Sequence, residues 1–141
     1  TGVFGGTPVE ILLSTRTLDL GPVALTGLSL SDAFATDSEV PSAPDGMFHI
    51  VMGHSPNFSL GVTEGDLLIA GHTHGGQVQL PLIGPLMTLS QVPRSWASGA
   101  TLLDDGRTLI VSRGVGMERW RAPQLRFLCR PEIVVIDLVP E

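Results

Sequence analysis

The sequence predicts a single strand-rich domain, and three observations carry that reading. A chain of 141 residues has the length of one hydrophobic core. Short apolar runs separated by turn-forming residues recur from end to end. With 17 Gly and 11 Pro the chain is too rich in helix breakers for long helices, and no stretch of roughly a dozen residues carries apolar side chains at i, i+3, i+4 and i+7.

Taken in order, the expected strands are Val9 to Leu13, Val23 to Leu30, Phe48 to Met52, Leu67 to Ala70, Val78 to Ile83, Thr108 to Ser112 and Glu132 to Leu138. Each is a β-branched or aliphatic run of about four to eight residues bounded by Gly, Pro or polar residues. The best helical candidate, Asn57 to Gly61, is hardly one turn. Ala35 to Gly46, polar, acidic and proline-bearing, reads as a surface loop joining two strands, and Met87 to Ser98 reads the same way.

Composition narrows the function classes. Hydrophobic residues make up 43%, charged residues 16%, and mean hydropathy is +0.30, which predicts a folded chain with some surface that meets a partner. Eight Arg, no Lys and fourteen acids give a net charge of −6, which argues against a surface that coats nucleic acid. Without Lys there is no P-loop. The single cysteine, Cys129, reads as core filler. No apolar stretch approaches the ~18 residues of a membrane span. The chain opens on Thr1 with no targeting segment, which suggests a processed product or a fragment. Charge is uneven: residues 107–130 hold six Arg and one acid, Glu118, so the C-terminal third is expected to present a positive face.

The chemistry concentrates in the histidines. His54 follows the run Ile50-Val51-Met52-Gly53, and His72 and His74 follow Leu67-Leu68-Ile69-Ala70-Gly71. In an extended segment, side chains at i and i+2 point the same way with Cα atoms about 7 Å apart, so His72 and His74 can aim at one volume, and a neighbouring strand end can bring His54 to it. Three neutral imidazoles suit Zn, Fe, Mn or Ni. Gly71, Gly75 and Gly76 permit the sharp turns expected beside bound ions. His49, inside an apolar run and on its opposite phase, reads as a packing or hydrogen-bonding residue. Gly53-His54-Ser55-Pro56-Asn57 imitates a nucleophile elbow but ends in Asn and carries Pro56, so Ser55 is discounted as a nucleophile. Gly114-Val115-Gly116 lacks the third glycine of a dinucleotide fingerprint and reads as a turn.

These residues resemble the calcineurin-like metallophosphoesterases. Gly71-His72-Thr73-His74-Gly75-Gly76-Gln77 is similar to the family's Gly-His-x-His block with the Gly-Gly-Gln extension of one bacterial branch, and Gly53-His54-Ser55-Pro56 to the metal-histidine block before it. Leu80-Pro81-Leu82-Ile83-Gly84, Val111-Ser112-Arg113-Gly114-Val115-Gly116 and Pro131-Glu132-Ile133-Val134 are similar to later segments of that branch. The resemblance implies an α/β fold, a four-layer α/β/β/α sandwich, of which residues 1–141 form the strand-rich C-terminal half. It implies a metal-dependent hydrolase with two divalent ions (Mn, Zn, Fe or Ni), His54 and His72 on one and His74 on the other, and Arg113 as a candidate substrate contact.

The family's Asp-x-His, Gly-Asp-x-x-Asp and Gly-Asn-His motifs, the last with its general-acid histidine, do not occur here. Asn57 is the only asparagine. The expected partner is therefore a missing N-terminal half, or a second chain carrying it, and the isolated segment is expected to be inactive. Phosphomonoesters, phosphodiesters and lipid-linked pyrophosphates are the substrate classes implied. Trp120 between Arg119 and Arg121 suggests peripheral membrane contact through anionic lipid heads, against a merely solvated basic face. The competing function is a non-catalytic, phosphatase-like binding module. A third, an amidohydrolase with His-x-His on a barrel strand, needs about 200 residues and alternating helices.

Overall fold

The computed structural model describes residues 12–61, 64–118, 120, 121 and 123–139. Among the described residues eight strands, β1 (Arg16–Asp19), β2 (Val23–Gly27), β3 (Phe48–Met52), β4 (Leu67–Ala70), β5 (Gln79–Leu80), β6 (Gly84–Pro85), β7 (Gly99–Leu102) and β8 (Thr108–Val111), accompany one short helix, α1 (Leu30–Phe34). Six strands form a sheet in the order β1-β2-β3-β4-β8-β7, and β5 and β6 make a separate hairpin. The four inner strands run parallel, and β1 and β7 close the edges antiparallel. The architecture is thus a strand-rich α/β sheet with few helices.

Strand alternation sets the two faces. Thr26, Val51, Leu68 and Leu109 stand opposite one another across four strands, and all are fully buried. Phe58, Val40 and Leu103 pack onto this row with Leu28 and Trp96 at its margin. Burying a side chain of this size contributes about 1.5–3 kcal/mol, so this face carries the core. The neighbouring row, Gly27, Met52, Ile69 and Ile110, faces the other way. On that side Phe48, Met52 and Leu102 remain exposed.

His49 belongs to the core face. Its Nδ1 donates to the Glu64 carbonyl at 3.1 Å, and its Nε2 lies 2.7 Å from Thr26 Oγ1, so it is the packing and hydrogen-bonding residue expected. Cys129 is likewise buried.

Several expected elements differ. The run Val23 to Leu30 ends at Gly27 because Ser29 caps a helix, its hydroxyl accepting from Asp32 N at 3.2 Å. That helix has five residues, too few to register as a period. Ala35 to Gly46 is the irregular connection expected, but it joins α1, not a strand, to β3. Val78 to Ile83 shrinks to the two residues of β5. Of Val9 to Leu13, residues 9–11 lie outside the described residues, and Leu12 and Leu13 are not in a strand. Glu132 to Leu138 joins no sheet: Glu132 N donates to the Gly114 carbonyl at 3.1 Å, and Ile133 and Val135 stay exposed. Its alternation is real, but no described strand edge pairs with it. Asn57 to Gly61 becomes a 3-10 turn over Pro56–Leu60, with Pro56 at its first position, where no amide hydrogen is needed. Met87 to Ser98 contains another such turn, Arg94–Trp96.

Candidate metal centre

All four parallel strands end at one edge, where open α/β sheets place their sites. The chain continues the ladder for a residue or two past β3, β4 and β8. Gly53 N donates to the Ile69 carbonyl at 3.0 Å, Gly71 N to His54 at 3.1 Å, and Ser112 N to Ala70 at 2.9 Å. His54, His72 and Arg113 therefore leave the sheet from fixed neighbouring positions.

After Ala70 the chain turns sharply. His72, His74, Gly75, Gly76 and Gln77 all have positive φ, between 49° and 76°. Two of the five are glycines, for which this conformation is unstrained. For the other three it is uncommon, and such strain gathers at functional sites. The turn is held from all sides. Thr73 Oγ1 donates to the Ala97 carbonyl at 2.7 Å, Cys129 Sγ to His74 O at 3.2 Å, and Gln79 Nε2 to Gly75 O at 3.0 Å. A Cβ on Gly75 would stand 2.7 Å from Cys129 Sγ, and one on Gly76 2.4 Å from Pro85 Cβ, so the turn is also closed to larger residues.

This corrects the route by which the histidines were expected to converge. They do not lie on an extended segment, since β4 ends at Ala70. His72 nonetheless meets His54: His54 Nε2 and His72 Nδ1 are 3.1 Å apart. Phe34 packs against both rings, 4.7 Å from His72 and 5.7 Å from His54 between centroids. His74 is turned toward a different neighbour, the Arg113 backbone, but stands near enough for its charge to lower His54 and for that of His72 to lower it in turn. Among the described residues, no three His, Cys, Asp or Glu side chains close around a single point as a cation would require.

The donor chemistry nevertheless fits a metal. His72 Nε2 lies 3.0 Å from the Leu89 carbonyl, which can only accept, so the ring proton sits there and Nδ1 presents a lone pair. A backbone carbonyl orienting the far nitrogen is the usual support of a ligating imidazole. Two nitrogens bonded to one ion at ~2.0–2.1 Å stand roughly 2.9–3.4 Å apart for bond angles of about 90–109°, and the His54–His72 separation lies within that span. Desolvation, then the neighbouring His72 and His74, holds His54 below the ordinary imidazole range. His74 is lowered by desolvation and next by the Arg126 guanidinium. Both shifts favour the neutral form that a metal needs.

Arg113 is already engaged. Its Nε donates to Glu132 Oε2 at 2.7 Å, Nη2 bonds the same oxygen, and its backbone N donates to Oε1 at 3.0 Å. Arg126 caps carbonyls, donating from Nη2 to Arg113 O at 2.7 Å and to Gly114 O at 3.1 Å. Ser55 is fully buried and its hydroxyl accepts from Asn57 N, which suits its dismissal as a nucleophile.

Three supporting residues escaped the sequence reading. Phe34 sits on a helix too short to see. Leu89, with φ 53°, acts through its backbone carbonyl and leaves no trace in side-chain chemistry. Asn57 donates to Phe34 O at 3.0 Å and accepts from Ser90 Oγ at 2.6 Å and Gln91 N at 2.8 Å, joining the helix to the loop that orients His72. Its position after Gly-His-Ser-Pro was the available signal.

The sequence comparisons give the class: the chain belongs to the calcineurin-like metallophosphoesterase superfamily. It is 41% identical over 97 residues to the uncharacterized metallophosphoesterase YkuE of Bacillus subtilis, covering 67% of this chain and 32% of that protein. It is 31% identical over 101 residues to the phosphodiesterase YaeI of Escherichia coli, covering 70% and 35%. It is also 32% identical over 139 residues to the uncharacterized metallophosphoesterase Cj0846 of Campylobacter jejuni, covering 90% and 34%. The chain thus spans about a third of the length of each of these relatives. No family model matches the chain, and no solved structure matches it.

Proposed function

We propose that this chain supplies three imidazoles, His54, His72 and His74, to a dinuclear metal centre that hydrolyses phosphoesters. The observation that carries the reading is the His54–His72 approach of 3.1 Å, with the far nitrogen of His72 tied to Leu89 O. When bound, divalent ions at this edge would activate water and neutralise phosphoryl charge. The chain's own part is to present lone pairs. His72 keeps its proton on Nε2 through Leu89, His54 must carry its proton on Nδ1 to free Nε2, and the clamped turn holds His74 beside them. Arg113 is read here as a strut that binds Glu132 and fixes the Gly114–Gly116 turn, in place of a direct substrate contact.

The remaining donors, including a bridging carboxylate and a general acid, come in this reading from a further segment completing a four-layer sandwich. The apolar sheet face bearing Phe48, Met52 and Leu102 is its natural seat, because an open apolar face of this kind asks for cover. Alone, the 141 residues bind metal weakly and turn over little. The name of YaeI favours a phosphodiester among the possible substrates. The absence of a three-donor cluster among the described residues favours a second reading, a non-catalytic binding module.

Elemental analysis of the full-length protein separates them. His54→Ala, His72→Ala and His74→Ala are each expected to lower the bound metal and abolish hydrolysis of bis(p-nitrophenyl) phosphate. Unchanged metal stoichiometry in all three removes the site, and metal retention without hydrolysis selects the binding module.

A further inference from the structure

A cavity of about 440 Å³ lies against the candidate metal centre, lined by Phe34, His72, Leu89, Glu118, Trp120 and Arg121. Its size falls in the range of roughly 300–1,000 Å³ typical of small-molecule sites. His72 and Phe34 are shared with the histidine pair, so whatever occupies the cavity touches the place where a phosphoryl group would react. Trp120 is 92% exposed, an uncommon setting for so large an aromatic. The exposed guanidinium of Arg121 stands beside it in sequence.

Glu118 and Pro123, on either side of this indole in sequence, are held by one buried side chain. Gln77, 1% exposed, accepts from Glu118 N through Oε1 and donates from Nε2 to Glu118 O at 3.4 Å and Pro123 O at 2.8 Å. Trp120 N in turn donates to Glu118 Oε1 at 2.7 Å. Gln77 is the last residue of the positive-φ run that carries His72 and His74. One buried amide therefore ties the indole-bearing rim to the metal-binding turn.

We infer that this cavity receives the organic group of the substrate and that the group is a nucleoside: the base stacks on Trp120, and Arg121 meets a phosphate oxygen of the same ester. The inference rests on the proposed hydrolysis and names its substrate class. An indole face and a guanidinium are the pair that holds a base attached to a phosphate, and stacking of this kind tolerates any base. A bilayer suits the surroundings less well, because Trp120 and Arg121 share a concave site with His72 and Leu89, which fits one small group, whereas an interfacial anchor needs only an exposed side chain.

The test uses the full-length protein and its Trp120→Ala and Trp120→Phe forms, first checked for equal melting temperature. Calorimetry without metal compares thymidine 5′-monophosphate with inorganic phosphate. Wild type is expected to prefer the nucleotide, Trp120→Ala to lose about 5- to 150-fold of that margin, and Trp120→Phe to keep most of it. With metal, the kcat/KM ratio of thymidine 5′-(p-nitrophenyl phosphate) to methyl p-nitrophenyl phosphate should fall by a similar factor in Trp120→Ala alone. Equal affinity for nucleotide and phosphate in wild type overturns the inference. So does Trp120-dependent flotation on phosphatidylglycerol vesicles without any nucleotide preference. Failure to hydrolyse either diester, with the nucleotide margin intact, refutes the hydrolase and leaves the nucleotide pocket supported.

Discussion

Replacing Asn57 by Ala should expose how far the candidate site depends on one buried amide. Asn57 is 3% exposed and makes three hydrogen bonds, to Phe34 O, Ser90 Oγ and Gln91 N. A bond of this kind contributes about 0.5–1.5 kcal/mol net, and a buried partner left unpaired costs more. Three bonds with partly buried partners give about 2–4 kcal/mol lost on truncation, measured by urea unfolding of the full-length protein. Asn57→Asp keeps the two acceptor contacts but turns an oxygen toward the Phe34 carbonyl, so its loss should be comparable despite equal volume. Because Asn57 anchors the loop whose Leu89 carbonyl holds His72, metal affinity should also drop, by the 10- to 100-fold typical of a lost supporting contact. Destabilisation below about 1 kcal/mol, with metal affinity unchanged, would show that water replaces the amide and that the loop is positioned by other means.

Gly76→Ala places a Cβ 2.4 Å from Pro85 Cβ and 2.8 Å from Met87 O at a φ of 76°; backbone and ring cannot yield easily, so a loss above about 2 kcal/mol is expected in thermal or urea unfolding. Glu132 is held below its ordinary 4.5, first by the hydrogen bond from Arg113. Its contribution is therefore complete above that value and disappears as pH falls through the lowered folded one. Glu132→Gln should cost about 1–2 kcal/mol near neutrality and flatten stability against pH in the acid range, read from unfolding midpoints between pH 7 and 3. Phe34→Ala removes the ring packed on His54 and His72; metal affinity measured by competition with a chelator should weaken while the sheet's circular dichroism persists.

Much of the fold was legible because its inner strands are apolar and short. Phe48–Met52 and Leu67–Ala70 match the expected runs residue for residue, since buried parallel strands write continuous aliphatic stretches. The edges were not legible. Arg-Thr-Leu-Asp in β1 and Gly-Ala-Thr-Leu in β7 carry no alternation to detect, and their pairing is decided by the strand beside them. The meeting of His54 with His72 was anticipated, but through an extended His-x-His that the structure replaces with a left-handed turn. Glycines 75 and 76 announced a turn, whereas positive φ at His72, His74 and Gln77 depends on clamps from Ala97 and Cys129, distant in sequence and invisible to local spacing.

The arginines show why a count of charges misleads about surfaces. The excess in residues 107–130 predicted a positive face, yet Arg107 pairs with Asp105 and Arg113 with Glu132. Arg126 reaches the carbonyls of Arg113, Gly114 and Gly116. A guanidinium is suited to this work because its five fixed donors match several carbonyls at once, which a lysine cannot do. That accounts physically for a segment with many arginines: strand β8 ends at Val111, and the turn beyond it leaves carbonyls that no ladder satisfies. Arg126 closes that turn from one side and lowers the neighbouring His74 from the other. The same cation thus keeps the backbone in place and favours the unprotonated imidazole, the form in which His74 would serve the proposed centre. Arg121 and Arg130 are exposed at the surface, and of these Arg121 is the one that lines the cavity beside His72.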